Sequence, residues 1–492
     1  MPGYVQILIL CAALAALVLL CARILLRARR LRGHPWPDEA PPEADGRLAE
    51  RAAESLSQMI RFQTVSHLSP SDRGGYGEWA RLRECLRQRY PLTHQHLLCE
   101  QIGFSLLYRW AAPEPEPGSE PDREPILLCA HLDVVPADNA GAWTHGPFSG
   151  DIEDGYVWGR GALDCKNVLV CVLEAVETLL EEGIVPSRDI FFAFGHDEEL
   201  GGPDGAGTLA ALFAERNAHF EMVLDEGSCL CRSAIPVGRP VAHIGVAEKG
   251  MANLRFTARA DGGYAAKPPR HTGLGRLSEA VCRLEFRPLP PRLTPLVRDS
   301  LTALGPGLPP LWRLFLGNLW LFRRRVLRLL AARSDSNALI RTTVAPTMAK
   351  GSDAANVLPD SAEIVLNMRV LHGENDAALT RYLTDLTEDL DVKVEVLSSI
   401  DPSRVSRYDN RTFKALSASV GRAFGPAPVV PDLMCGGTDA RHYEAFSDCV
   451  YRFMPFVLTP GEQERVHGTD ERVRIEALGR AVAFYRDLMQ TF

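Results

Sequence analysis

The chain has 492 residues, 46% hydrophobic and 24% charged, with a formal net charge of −8. That length supports two domains, the composition is that of an ordinary globular protein, and the acidic balance excludes the basic footprint of a nucleic-acid binder. Twelve cysteines carry no zinc-finger spacing, and Cys229/Cys231 is only a CxC pair, so no disulfide framework is indicated.

Val5 to Ala22 is an uncharged apolar run of 18 residues, extending to Leu26 if Arg23 snorkels to the interface. It predicts a membrane anchor over residues 1–32. A cleavable signal peptide is the competing reading, but Met1 to Tyr4 carries no basic residue and no small-residue cleavage site follows. Arg23, Arg27, Arg29, Arg30 and Arg32 come next, which by the positive-inside rule points to a cytoplasmic catalytic domain. The stretch His34 to Asp45, within a linker over 33–45, is Pro-rich and reads as extended. A globular domain begins near Gly46.

Pro125 to Ala130 reads as a buried strand, so His131 and Asp133 emerge at its C-terminal end on one face. Asp133 is then placed to accept the second ring N–H of His131 and fix its tautomer. Val157 to Asp164 runs from a strand through a glycine-rich turn into a helix over Asn167–Leu180, which puts Asp164 beside a helix N-terminus. Asp189 to Gly195 is a further strand, delivering His196, Asp197, Glu198 and Glu199, and Phe220 to Leu224 delivers Asp225. Any one cluster has a bland explanation: a satisfied pair, an N-cap carboxylate or a solvated loop charge. Together with His467 they describe a hydrolytic site, because buried adjacent acids need a cation or a shared proton.

After Asp225 the pattern reads strand, helix, strand, strand, helix, strand: His243–Ala258, Gly273–Leu284, Ala338–Lys350, Ala362–Val370, Asn375–Leu390 and Val392–Ser398. That order predicts a small ferredoxin-like α+β lid domain over 242–402. His467 lies beyond it, so the α/β catalytic domain is expected to be discontinuous, 46–241 and 403–492. Within the insertion, Leu311 to Leu330 combines large apolar residues with Arg323, Arg324, Arg325 and Arg328. A buried lid helix or dimer contact is one reading. The other is a segment lying on the membrane surface and admitting acyl chains.

The strings AHLDVVPA, FSGDIEDGYVWGRGALDCKN, GHDEE, VLDEG, VAEKG, NALIRTT and RVHGTDERV, in this order, resemble the co-catalytic zinc peptidase family of aminoacylase-1, carboxypeptidase S and succinyl-diaminopimelate desuccinylase. The likeness covers roughly residues 47–490 and is strongest to the branch of carboxypeptidase S and the N-fatty-acyl-amino-acid synthase/hydrolase. It implies two zinc ions bridged by Asp164, one completed by His131 and Asp225, the other by Glu199 and His467. Manganese or cobalt also suits such ligands. Glu198 is left as general base, with Asp133 supporting His131.

For the substrate carboxylate the resemblance implies Arg369, in Asn367-Met368-Arg369 after Asn356-Val357-Leu358-Pro359, and the loop Cys435 to Asp439 with Gly437 and Thr438. One departure stands out: the family's Gly-His-Ser-Ser segment is here Gly263-Tyr264-Ala265-Ala266. Tyr264 donates one O–H bond but lacks histidine's charge, and His271 is a substitute only by nearness. The expected activity is cleavage, reversible in principle, of N-acyl and foremost N-fatty-acyl amino acids. A carboxypeptidase or dipeptidase on short peptides with a free carboxylate is the alternative, and a catalytically weak binding protein is the rival of a different class. A homodimer through the lid is a further expected partner. Relatives working in secretory or vacuolar lumens argue for a lumenal or extracellular side, against the arginine rule.

Overall fold

The protein is described by a computed structural model, which covers residues 3–33, 36–37, 39–66, 76–114 and 123–492. Met1, Pro2 and, in the expected linker, His34, Pro35 and Asp38 lie outside the described residues.

The strand Ile126–His131 is buried along its whole length, as an almost continuous apolar run requires when both faces of a parallel sheet are covered. It pairs in parallel with Ile190–Gly195 on one side and Met222–Asp225 on the other. These three form the middle of a nine-stranded sheet in the order Leu98–Ile102, Ser105–Trp110, Ile190–Gly195, Ile126–His131, Met222–Asp225, Val450–Arg452, Val241–Glu248, Val429–Met434, with Leu230–Cys231 beside Val241–Glu248. Against it packs the helix Lys166–Glu181, in which every residue from Lys166 to Leu179 is buried because the helices Gly46–Ile60 and Ile475–Thr491 cover its far side. Its two buried acids are paired. Glu174 meets Arg51 Nε at 2.6 Å and Ser55 Oγ at 2.5 Å, and Glu177 accepts the backbone N–H groups of Leu92 and Thr93. Buried charges persist only with such partners.

The strand expected over His243–Ala258 is two strands, Val241–Glu248 and Gly250–Arg259. The first belongs to the large sheet, so the chain crosses to the second unit at Lys249 and not at the expected boundary of 241/242. Lys249 marks the crossing. Its buried ammonium donates to the carbonyls of Ala338 and Arg341, at 3.0 and 2.8 Å, and burial lowers its pKa to about 8. The return is held beside it, where Ser403 Oγ accepts from Glu248 N and Ser403 N donates to Glu248 O.

The second unit is a four-stranded antiparallel sheet, ordered Thr343–Lys350, Ser361–Val370, Gly250–Arg259, Val392–Ile400, with the helices Gly273–Phe286 and Asp376–Thr387 packed on it. Strict alternation of buried and half-buried residues along Ser361–Val370 explains why one face is covered and the other open. Its core, built on Leu254, Phe256, Leu277, Leu366 and Leu383, is separate from that of the large sheet.

Residues 295–340 do not join it. Leu296, Leu301, Leu308, Leu316, Val326 and Leu330 are buried in the core of the large sheet, and the helix Pro295–Ala303 packs on the strand Val429–Met434. The Leu311–Leu330 segment, expected in the lid, is thus an attachment to the large domain. Its apolar stripe finds a partner there that no local pattern reveals.

Candidate metal centre

His131 ends its strand opposite Gly195, and the loop after Gly195 carries the acids Asp197, Glu198 and Glu199. Asp225 ends the other neighbouring strand. Three parallel strands therefore present their C-terminal ends to one space, the usual ligand position in α/β sheets. Asp164 enters from the turn before Lys166–Glu181, across a cis peptide bond to Cys165. His467 enters from the loop before the final strand and helix, with a left-handed φ of 60°.

Asp164 sits between the histidines. Its Oδ1 lies 2.9 Å from His131 Nε2, and its Oδ2 lies 3.0 Å from His467 Nε2. Glu199 Oε1 is 3.2 Å from the same His467 nitrogen, and Glu198 Oε2 is 4.0 Å from His131 Nε2. In each of three sets the ligand atoms lie within 4.8 Å of one another: His131, Asp164 and Cys165; His131, Glu198 and Glu199; Asp164, Glu199 and His467. Asp225 joins no such group among the described residues. It is buried, and its Oδ2 has no hydrogen-bond partner.

Asp133 is fully buried beneath the centre. Its carboxylate accepts the backbone N–H groups of Glu198 and Glu199, at 3.2 Å each, and the hydroxyl of Ser66 at 2.8 Å. His131 Nδ1 lies 3.0 Å from the Asp133 carbonyl and 3.4 Å from its Oδ1. His131 Nδ1 thus faces both the backbone and the side chain of Asp133, and Asp133 also accepts from the acidic loop.

The charges do not balance. Burial pushes Glu198 well above the usual carboxylate range and Asp225 up to about 6. Against the burial that opposes it, hydrogen bonds from His131 and His467 hold Asp164 low. The hydrogen bonds that His467 donates to Asp164 and Glu199 push it up to about 10. A buried excess of carboxylates with two imidazole nitrogens facing it is a donor set for divalent cations. The buried Asp225 Oδ2, without a hydrogen-bond partner among the described residues, fits the same use.

Two acids of the region were missed from sequence. Glu226, next to Asp225, is buried too, and burial and the charge of Asp164 push its carboxyl well up. It lay within the LDEG string, but adjacency gives no choice between two acids. Glu471 accepts from the backbone N–H groups of Gly161, Leu163 and Asp164, at 3.0, 2.7 and 3.2 Å, and from Arg160 at 2.5 Å. Arg160 in turn donates to the carbonyl of His467 at 3.0 Å. The pair ties the Asp164 turn to the His467 loop. Its signal was an acid four residues after His467. Cys165 has a packing role, since its buried Sγ accepts from His131 N–H at 3.2 Å and burial keeps it a thiol.

The expected substrate-binding residues divide. Arg369 is half-buried on Ser361–Val370, opposite Met251 and Thr343, and forms no ion pair or hydrogen bond among the described residues. Its charge is felt at both Lys249 and Cys435. Gly437 leaves room for Arg441, whose guanidinium would lie 2.5 Å from an added Cβ. Thr438 donates its hydroxyl to Glu248 at 2.8 Å, so that hydrogen is already engaged within the fold. Tyr264 and Asn356 lie in a two-stranded ribbon, where Tyr264 pairs with Val357 and Asn356 O accepts from Ala265 N. Tyr264 is 67% exposed, and neither residue contacts the metal cluster among the described residues.

A large α/β sheet whose strand ends gather two imidazoles and several buried carboxylates defines a metal-dependent hydrolase. The chain belongs to the peptidase family M20/M25/M40, whose pattern matches residues 127–491. It is 33% identical to the N-fatty-acyl-amino acid synthase/hydrolase PM20D1 of Bos taurus, over 98% of this chain and 96% of that protein. It is 35% identical to the probable carboxypeptidase S-like 2 of Dictyostelium discoideum, over 89% of this chain and 84% of that one. Among solved structures, the M20 family metallo-carboxypeptidase Sso-CP2 of Sulfolobus solfataricus shares the fold, with a TM-score of 0.65 at 14% identity over 89% of this chain and 98% of that one.

Proposed function

We propose that the protein is a two-metal amidohydrolase that cleaves N-acyl amino acids, foremost N-fatty-acyl amino acids, into a carboxylic acid and an amino acid. The observation that carries the reading is Asp164, whose two oxygens face two different histidines in an otherwise acidic pocket. In this reading His131, Asp164, Glu199, Asp225 and His467 would hold the cations. Zinc suits these donors, as do manganese and cobalt. When bound, such a pair polarises the scissile carbonyl and lowers the pKa of water.

Glu198 then takes a proton from the attacking water and delivers it to the leaving nitrogen. The water oxygen joins the carbonyl carbon, the C–N bond breaks, and the amine leaves with the proton. A carboxyl that burial holds above the usual carboxylate range is a stronger proton acceptor than an exposed one. Arg369, whose side chain has no partner among the described residues, binds the substrate carboxylate through its planar fork.

The small unit, 250–294 with 341–400, acts as a lid on a discontinuous catalytic domain, and its exposed edge strand, with Val396 and Leu397, pairs with a second copy. The helix Gly3–Arg30, whose apolar window is 0% buried, anchors the chain in a membrane. The PM20D1 relatives support the fatty-acyl substrate and the carboxypeptidase S relatives the second reading, a peptidase on short peptides. Metal-loaded protein assayed on N-oleoyl-phenylalanine, N-acetyl-phenylalanine and a dipeptide panel separates them. Higher kcat/KM on the oleoyl amide is expected; a preference for dipeptides would transfer the function to the peptidase.

A further inference from the structure

We propose that the groove between the N-terminal helix and the helix Pro310–Gly317 binds an anionic phospholipid. The inference rests on the reading of Gly3–Arg30 as a membrane span. Eighteen uncharged residues, Val5 to Ala22, rise roughly 27 Å as a helix, close to the thickness of a bilayer's hydrocarbon core. Arg23 is the first charge after them, so the turns from Leu25 to Arg32 come at the level of the head groups.

The globular body meets the helix at that level. Asn318 Nδ2 donates to the carbonyl of Ile24 at 3.0 Å. A Cβ on Gly317 would lie 3.0 Å from the backbone carbonyl of Arg27, and one on Gly305 would overlap the carbonyl oxygen of Leu31. The Arg23 guanidinium lies 5.8 Å from the centre of the Trp320 ring. Two glycines and a buried asparagine thus let the body fit closely against the end of the span.

Beside this contact lies a groove of about 520 Å³, lined by Leu25, Leu311 and Leu314 together with Arg29, Arg32 and Arg313. Leu25 and Leu311 are 58% and 59% exposed. None of the three guanidiniums has an ion-pair partner among the described residues. An apolar slot with unpaired arginines at head-group depth matches one molecule already present there: acyl chain against the leucines, phosphate against the guanidiniums. Such a lipid fills the angle between span and body and fixes how the catalytic domain sits on the membrane.

The test uses the full chain in lipid nanodiscs of phosphatidylcholine with a minor share of phosphatidylglycerol, followed by native mass spectrometry of the lipids retained on release. Wild type should keep phosphatidylglycerol in preference to phosphatidylcholine. Arg29→Gln/Arg313→Gln should lower that retention by about tenfold or more, the effect of losing charged hydrogen bonds. Arg323→Gln/Arg324→Gln/Arg325→Gln, outside the groove, should leave it within about twofold. Equal loss in both variants would mean diffuse surface charge and overturn the site. Displacement of the phospholipid by equimolar oleate would overturn it in favour of a free acyl anion. A chain that enters nanodiscs but retains no lipid selectively refutes the groove alone, whereas one that fails to enter them refutes the span, and the groove with it.

Discussion

Asp164 holds one oxygen toward each of two histidines, and that division of one side chain between two imidazoles is the strongest residue-level statement of the centre. Asp164→Ala should therefore lose both metal ions, while His467→Ala, facing only one proposed site, should weaken one preferentially. Elemental analysis of the purified variants reads this directly, and full occupancy in Asp164→Ala would end the two-metal reading. Glu198 is expected to move protons without holding metal. Glu198→Gln should cut kcat by at least about a hundredfold with metal content near wild type; loss of both ions would make Glu198 a ligand. Glu471 is a different kind of residue, an acid buried among three backbone donors and Arg160. Glu471→Ala leaves Arg160 without its carboxylate inside the protein, at a cost of about 3–5 kcal/mol. Urea unfolding of the two proteins at neutral pH measures that loss.

At the scale of elements, the short helix Pro460–Gln463 steers the chain into the His467 loop. Its capping box joins Thr459 to Glu462, and Arg474 grips the Glu462 carboxylate at 2.7 and 2.8 Å. Burial opposes ionisation there, but Arg474 and Thr459 outweigh it and lower Glu462 to about 2, from 4.5. The folded state thus binds fewer protons than the unfolded one between these values. The stabilisation is complete above about pH 4.5 and is lost as pH falls toward 2. Unfolding of Glu462→Gln and wild type at pH 7 and pH 3 should show a gap in stability that shrinks at the lower pH. A gap of equal size at both would mean that the carboxylate's charge is not what holds the turn. On the small sheet, Arg369→Ala should depress kcat/KM strongly for substrates with a free carboxylate, by on the order of 2–5 kcal/mol. Amidated analogues should be poor for wild type and little changed by the substitution.

For the whole molecule, the proposed metal site is also expected to be a stability element, because buried carboxylates gather at neighbouring strand ends. Cations that bind only the folded chain stabilise it by mass action, on the order of 2.7 kcal/mol at a free concentration a hundred times Kd. Chelation should lower Tm, and zinc should restore it in wild type but not in Asp164→Ala. Calorimetry with and without chelator checks this, and an unchanged Tm would separate the centre from folding. The small unit, 250–294 with 341–400 and its own core, is expected to be affected less than the large sheet that carries the ligands.

The sequence by itself determined the strands that deliver His131, the 197–199 acids and Asp225, because their apolar runs are long enough to be buried on both faces and end in charge. It also determined the strand–helix order of the small unit, since the periods of two and 3.6 residues are local properties of the chain. Tertiary structure decided what depended on partners distant in sequence. Val241–Glu248 reads as continuous with the strand after it, and only pairing with Val429–Met434 and Val450–Arg452 assigns it to the large sheet. Leu311–Leu330 is amphipathic in any setting, and only the large core shows where its stripe is buried. Glu471 and Glu226 are ordinary acids in one dimension. Their roles arise because folding removes water around them and leaves backbone N–H groups, an arginine or a neighbouring carboxylate to set their charge.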